Sequence, residues 1–145
     1  TSLGVKVIGL RYFNIYGKGQ TIAYAGVITK FLHNIKNKES LKIFGDGEQI
    51  RDFVHVEDVA NANILAMNSD VNFGFYNIGT NIPTSINQLA KIIIDISKQD
   101  LKAKNVEALN GDVKNSLADT TLTQEKLNWK AKIELQDGLK RFFEK

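Results

Sequence analysis

"KIFGDGEQIRDFVHVEDVA", residues 42–60, is the stretch whose reading decides the fold. Ile43-Phe44 is a short apolar strand running into Gly45-Asp46-Gly47, a turn signal. Glu48-Gln49-Ile50 then delivers Arg51-Asp52 to a second apolar run, Phe53-Val54-His55-Val56, and Glu57-Asp58 open a helix directly after it. An arginine set between a glycine turn and a buried strand is costly to place without a partner. Three partners are open: Asp52, Asp58, or an anion that arrives from outside. Asp52 and Asp58 are expected to orient Arg51 and to cap the helix. His55, on an otherwise apolar strand, reads as a core or edge histidine bonded to backbone.

Upstream, residues 5–11, "VKVIGLR", read as a buried strand of the parallel-sheet kind, nearly continuous in apolar residues. A parallel strand needs neighbours, and none precede it, which points to a fragment of a larger fold. Its apolar edge is then expected to drive self-association. "YFNIYGKGQTI" follows as a loop, with Asn14, Gly17 and Gly19 as turn residues. Residues 24–37 form an amphipathic helix with Val27, Ile28, Phe31, Leu32 and Ile35 on one face.

Downstream, residues 57–68 form a second helix, expected to turn Val59, Ala60, Ile64 and Met67 inward. Residues 73–78, "FGFYNI", are another buried strand, closed by Gly79. Ser85 and Gln88 make a capping box for a helix carrying Ile86, Leu89, Ile93 and Ile96. A weak strand over 104–108, a turn at Asn110-Gly111-Asp112, a short helix from a Thr121 cap to Leu127 and a last helix over 135–143 complete the chain. Strands and helices alternate, so the class is α/β, and no linker divides residues 1–145.

Composition narrows the function. Hydrophobic residues make up 43% and charged ones 24% of the 145 residues, as in ordinary globular chains. The net charge of +3 is spread over scattered lysines, which argues against nucleic-acid binding. Cysteine is absent, which fits a reducing, cytoplasmic setting and removes thiolate metal sites. Two histidines, His33 and His55, are too few for a histidine metal site, and no apolar run is long enough to cross a membrane. A glycine fingerprint for a dinucleotide is missing: Gly45-Asp46-Gly47-Glu48-Gln49-Ile50 has isoleucine at its third glycine position and no helix after it. No tyrosine is followed four residues later by lysine, since Tyr12, Tyr16, Tyr24 and Tyr76 lead to Tyr16, Gln20, Ile28 and Thr80.

Four blocks in order, "LRYFNIYGKGQ" (10–20), "IFGDGEQIRDFVHVEDVANA" (43–62), "YNIGTNIPTSINQLA" (76–90) and "GDVKNSLADTTLTQEKLNW" (111–129), resemble the C-terminal part of the extended short-chain dehydrogenase/reductases that act on nucleotide sugars. UDP-glucose 4-epimerases and their dehydratase and decarboxylase relatives are the nearest in pattern. The resemblance implies a substrate-binding lobe joined to the last strands of a Rossmann-type parallel sheet. It places the glycine fingerprint and the catalytic Tyr-x-x-x-Lys in a missing N-terminal half, so that no catalytic residue lies in this chain.

The resemblance also assigns roles. Phe13 would flank the nicotinamide of NAD, or simply pack at a strand end. Asn14 would hold the diphosphate of a nucleotide-diphosphate sugar, or form a turn. Ile43, Phe44 and Gly45 would border the base, largely through backbone groups. Arg51 would clamp the diphosphate, and Asp112 would face a ribose hydroxyl or hold its turn. Relatives usually carry arginine where Leu109 stands here. Lys114 is the candidate replacement, and Ser116 stands where some epimerases have an aromatic ring. A non-catalytic nucleotide-binding module is the rival reading.

Overall fold

The computed structural model describes residues 4–20 and 26–144. The expected start of the first helix, at residues 24 and 25, lies outside them. Eight strands among these residues pair two by two. β1 (Val7–Tyr12) runs parallel to β6 (Phe73–Ile78), β2 (Asn14–Tyr16) to β5 (Phe53–His55), and β3 (Leu41–Phe44) to β8 (Ala103–Val106). β4 (Ile50–Arg51) pairs antiparallel with β7 (Thr84–Ser85). The helices are α1 (Val27–Asn37), α2 (Val56–Met67), α3 (Ile86–Ser97), α4 (Thr121–Leu127) and α5 (Leu135–Lys140). The α/β class read from the alternation is correct.

β5 is the seam between two cores. Successive side chains on a strand point to opposite faces. Phe53 therefore joins a first core of Ile28, Phe31 and Ile35 from α1, Leu41 and Ile43 from β3, and Leu89 and Ile93 from α3. Val54 joins a second, with Val59 and Ala62 from α2, Tyr76 and Ile78 from β6, and Trp129. Residues 7–16 switch partners across this seam. Phe13 still donates its N–H to Ile78 O (3.0 Å), but the N–H of Asn14 turns to Asp52 O (2.9 Å). A cleft opens where neighbouring strands of a parallel sheet part company, and α/β proteins bind ligands there.

Four expectations are corrected. β1 has a neighbour, because β6 pairs with it over its whole length; the face left uncovered is the one bearing Val7, Phe73 and Phe75. α2 turns Val59, Ala62 and Ala66 inward, while Ala60 is exposed and Ile64 and Met67 are 56% and 83% exposed. The apolar residues of α2 are spread around the helix, so its pattern does not select a face; the buried face is the one that meets Val54, Tyr76, Ile78 and Trp129 in the second core. Thr121 is not the cap of α4 but its first residue, and its N–H is taken by Asp119 Oδ1 (3.0 Å). β8 and α5 are shorter than read, ending at Val106 and Lys140. The capping box of α3 forms as expected, with Ser85 Oγ accepting from Gln88 N (3.1 Å) and Gln88 Oε1 from Ser85 N (2.8 Å).

His55 caps α2. Its Nδ1 accepts from the Glu57 N–H (3.2 Å), and its ring stands edge-on to Tyr16 with centroids 5.2 Å apart. Burial pushes its pKa below the usual value near 6.5, with Glu57 and Asp58 opposing and Arg141 assisting. Folding thus favours the neutral ring, whose Nδ1 must stay unprotonated to cap the helix. The stability so gained is complete above about pH 6.5 and is lost as pH falls towards the depressed native value. The unfolding midpoint is expected to drop between pH 7.5 and 5. In His55→Asn, which keeps a capping acceptor, that part of the profile should flatten; an unchanged profile would rule His55 out as its source.

Candidate functional site

Asp52 organises the cleft, although it does not touch ligand space. Its carboxylate is fully buried. Oδ1 accepts from Thr80 N and Thr80 Oγ1, both at 2.7 Å, and Oδ2 from Asn81 N (2.9 Å) and Ala118 N (3.1 Å). Gly79 is required here, since a Cβ would lie 2.5 Å from Ala118 Cβ and 2.7 Å from Asp52 Oδ2. Asp52 so binds the loop after β6 to the segment that ends at Ala118. That segment also bonds to β4, through Ile50 N to Lys114 O (2.8 Å) and Ser116 N to Ile50 O (3.1 Å). Asp112 and Val113 are carried to Arg51 as a result.

Arg51 has neither partner named from sequence within this chain. Asp52 serves the backbone as above, and Asp58 accepts from Lys132 N (3.1 Å) and Ile133 N (3.0 Å). The guanidinium instead donates from Nη1 to Ile50 O (2.8 Å) and Val113 O (2.6 Å), and from Nη2 to Asp112 Oδ1 (2.5 Å). The other Asp112 oxygen accepts from Gln49 Nε2 (3.2 Å). The arginine side chain keeps 13% of its surface exposed, and the residue lines a cavity.

This cavity, of about 210 Å³, is bounded by Asn14, Phe44, Gln49, Arg51, Leu109 and Asp112, and by Val27, Lys30 and Phe31 of α1 and Lys42 of β3. A second, of about 450 Å³, is bounded by Arg11, Tyr12, Phe13, Asn14, Asn77 and Ser116. Asn14 belongs to both. The partner switch at Phe13 thus puts Phe13 against one space, and Asn14 stands between that space and the one that Arg51 lines.

The remaining residues singled out from sequence divide. Phe44 lines the Arg51 cavity. Ile43 does not, because alternation along β3 buries it in the first core at 2% exposure. Gly45 borders an adjoining hollow with Lys114, which shares Phe44, Gln49, Leu109 and Asp112 with the first cavity. The backbone groups expected to meet a base are partly committed: Gly45 N donates to Val106 O (3.0 Å), Gly45 O accepts from Asn105 Nδ2 (2.8 Å), and Phe44 O from Gln49 Nε2 (2.9 Å). Gln49, Lys30 and Lys42 were not singled out. Period-2 alternation, which puts Lys42 on the face of Phe44, and the i, i+3, i+4 spacing of Val27, Lys30 and Phe31 are the signals that point to the two lysines.

The buried Tyr16 hydroxyl is held protonated well above its ordinary range, by burial first and by Asp58 second. It packs 2.2 Å from where a Cβ on Gly138 would sit, so it fills the core rather than the cleft. Among the described residues no group of three or more His, Asp or Glu could hold a metal ion, and no helix is long and apolar enough to cross a membrane.

Comparison with known proteins gives a consistent picture. The model of the NAD dependent epimerase/dehydratase family matches residues 1–79. A putative UDP-glucose 4-epimerase of Methanocaldococcus jannaschii is 40% identical over 144 residues, covering 95% of this chain and 45% of that protein. A crystal structure of UDP-glucose 4-epimerase from Thermotoga maritima with UDP-glucose superposes with a TM-score of 0.90 at 42% identity, over 94% of this chain and 44% of that one. A UDP-N-acetylglucosamine 4-epimerase from Methanobrevibacter ruminantium, in complex with UDP-N-acetylmuramic acid, gives 0.89 at 40% identity, over 98% and 47%. The chain therefore spans somewhat under half the length of these proteins.

Proposed function

Since this chain belongs to the NAD-dependent epimerase/dehydratase family, we propose that it is the part of a nucleotide-sugar epimerase that anchors the nucleotide diphosphate, so that the sugar is presented to NAD. Binding energy gathered away from the reacting carbon is then used to position it. The observation that carries this reading is a pair of cavities that share Asn14, one lined by Arg51 and the other by Phe13.

Each residue has a defined task. The Arg51 fork meets the diphosphate oxygens, for which a planar guanidinium is well shaped. The Asn14 amide donates to the same group without adding charge. Phe44 offers an apolar wall to the base, and Asp112 accepts from a ribose hydroxyl. On the far side of Asn14, Phe13 offers its ring to the nicotinamide. NAD, when bound, supplies the reversible oxidation of a sugar hydroxyl. On this reading none of the described residues takes the hydroxyl proton, and that step is left to the remainder of a full-length enzyme.

The uncovered face of the β1–β6 pair, with Val7 42%, Phe73 60% and Phe75 52% exposed, suits docking of that remainder. Parallel strands are ordinarily covered on both faces. A full-length structure that left Phe73 and Phe75 in solvent would remove this part of the proposal.

Calorimetric titration of the full-length protein with UDP-glucose tests the whole reading. Saturable binding, competed by UDP, is expected. Absence of binding by UDP-glucose and UDP alike would overturn it.

A further inference from the structure

The Arg51 cavity carries more positive charge than one arginine accounts for. Lys30 reaches it from α1 and Lys42 from β3, so three cations and a single carboxylate, Asp112, share its walls. Asp112 is already bonded to Arg51. Among the described residues neither lysine has an ion-pair partner, whereas Lys91 and Lys140 are paired with Asp95 and Asp137. Two lysines from separate elements therefore line one small space, with no ion-pair partner for either among the described residues. Neighbouring like charges repel, and an anion placed between them relieves that repulsion. Apart from Asn14 and Gln49, the rest of the wall is chiefly apolar, with Val27, Phe31, Phe44, Ile86 and Leu109. A flat apolar ring carrying at least two negative charges matches both features.

We propose that Lys30 and Lys42 are a second anion-contacting pair of this cavity, and that with Arg51 they make it select nucleoside diphosphates over the monophosphate and the free nucleoside. This rests on the nucleotide-binding reading above and adds to it two residues and a rule for charge. Lys114, the replacement cation expected from sequence, borders the adjoining hollow instead. The ammonium groups are mobile point charges rather than forks. They should therefore act through charge, weakening with salt, more than through fixed geometry.

The test is calorimetry on the full-length protein with UDP, UMP and uridine. The variants are Lys30→Ala, Lys42→Ala, the double change, and Lys36→Ala, which removes the same charge from α1 outside the cavity. Each lysine change is expected to weaken UDP about tenfold and UMP less, to leave uridine unchanged, and to lessen the salt dependence of UDP binding. Lys36→Ala should change none of these. Both lysines are exposed, so thermal melts should confirm intact folds. If the double variant binds UDP as the parent does, or if Lys36→Ala weakens UDP equally, the pair has no such role, while the nucleotide reading stands. If the parent protein binds neither UDP nor UDP-glucose, both proposals fall together.

Discussion

Replacing Arg51 with alanine should weaken UDP binding by the full-length protein roughly 10- to 150-fold, the loss of about 1.5–3 kcal/mol that hydrogen bonds to a charged group contribute. The thermal midpoint should move by no more than a few degrees, because Arg51 belongs to neither core. The loss has two sources. In the proposed site the fork that would meet the diphosphate disappears, and Asp112, which bonds that fork, loses its counter-charge close to the anion. Arg51→Lys should fall between the two, since lysine restores the charge but not the fork. Equal UDP affinity in the parent and the alanine variant would remove Arg51 from the site and leave the diphosphate without its main clamp.

The larger effect on stability belongs to the neighbouring residue. Asp52→Ala should cost about 4 kcal/mol of folding free energy, at the upper end for a single substitution. The carboxylate is inaccessible to water and accepts from three backbone N–H groups and one hydroxyl. Removing it leaves buried donors without acceptors, at roughly 1–3 kcal/mol each, part of which relaxation and entering water recover. Asp52→Asn should be intermediate, because its amide keeps one acceptor but turns a donor towards other donors. Urea unfolding measures both. A loss below about 1 kcal/mol for the alanine variant would show that the loop after β6 and the segment to Ala118 hold together by other means. Nucleotide affinity should fall with stability here, as this segment carries Asp112 and Val113 to Arg51.

These neighbouring residues show what was legible in the chain and what was not. Residues that speak for themselves locally read true: the glycine turn at Gly45 and Gly47, both with positive φ, the Ser85–Gln88 box, and the amphipathic face of α1. Their causes act within a few residues of one another. Ordered motif blocks likewise identified the family, because a block is a local string. The face of α2 did not read true, because the core it packs into is assembled from separate segments, with Val54, Tyr76, Ile78 and, more than sixty residues on, Trp129. Nor did the partner of Arg51. Two acidic residues stood close by in sequence, yet each was engaged by distant backbone, at Thr80, Asn81 and Ala118 or at Lys132 and Ile133.

The order of residues by itself determined the alternation of strands and helices, the caps and turns, and the presence of a guanidinium beside a buried strand. These depend on backbone propensity and on side chains within a turn of each other. Only the tertiary structure decided what that guanidinium bonds, that Asn14 borders two cavities, and that Lys30 and Lys42 line the same one. Long-range backbone hydrogen bonds and the partner switch of one strand set those distances, and no local pattern of residues records them.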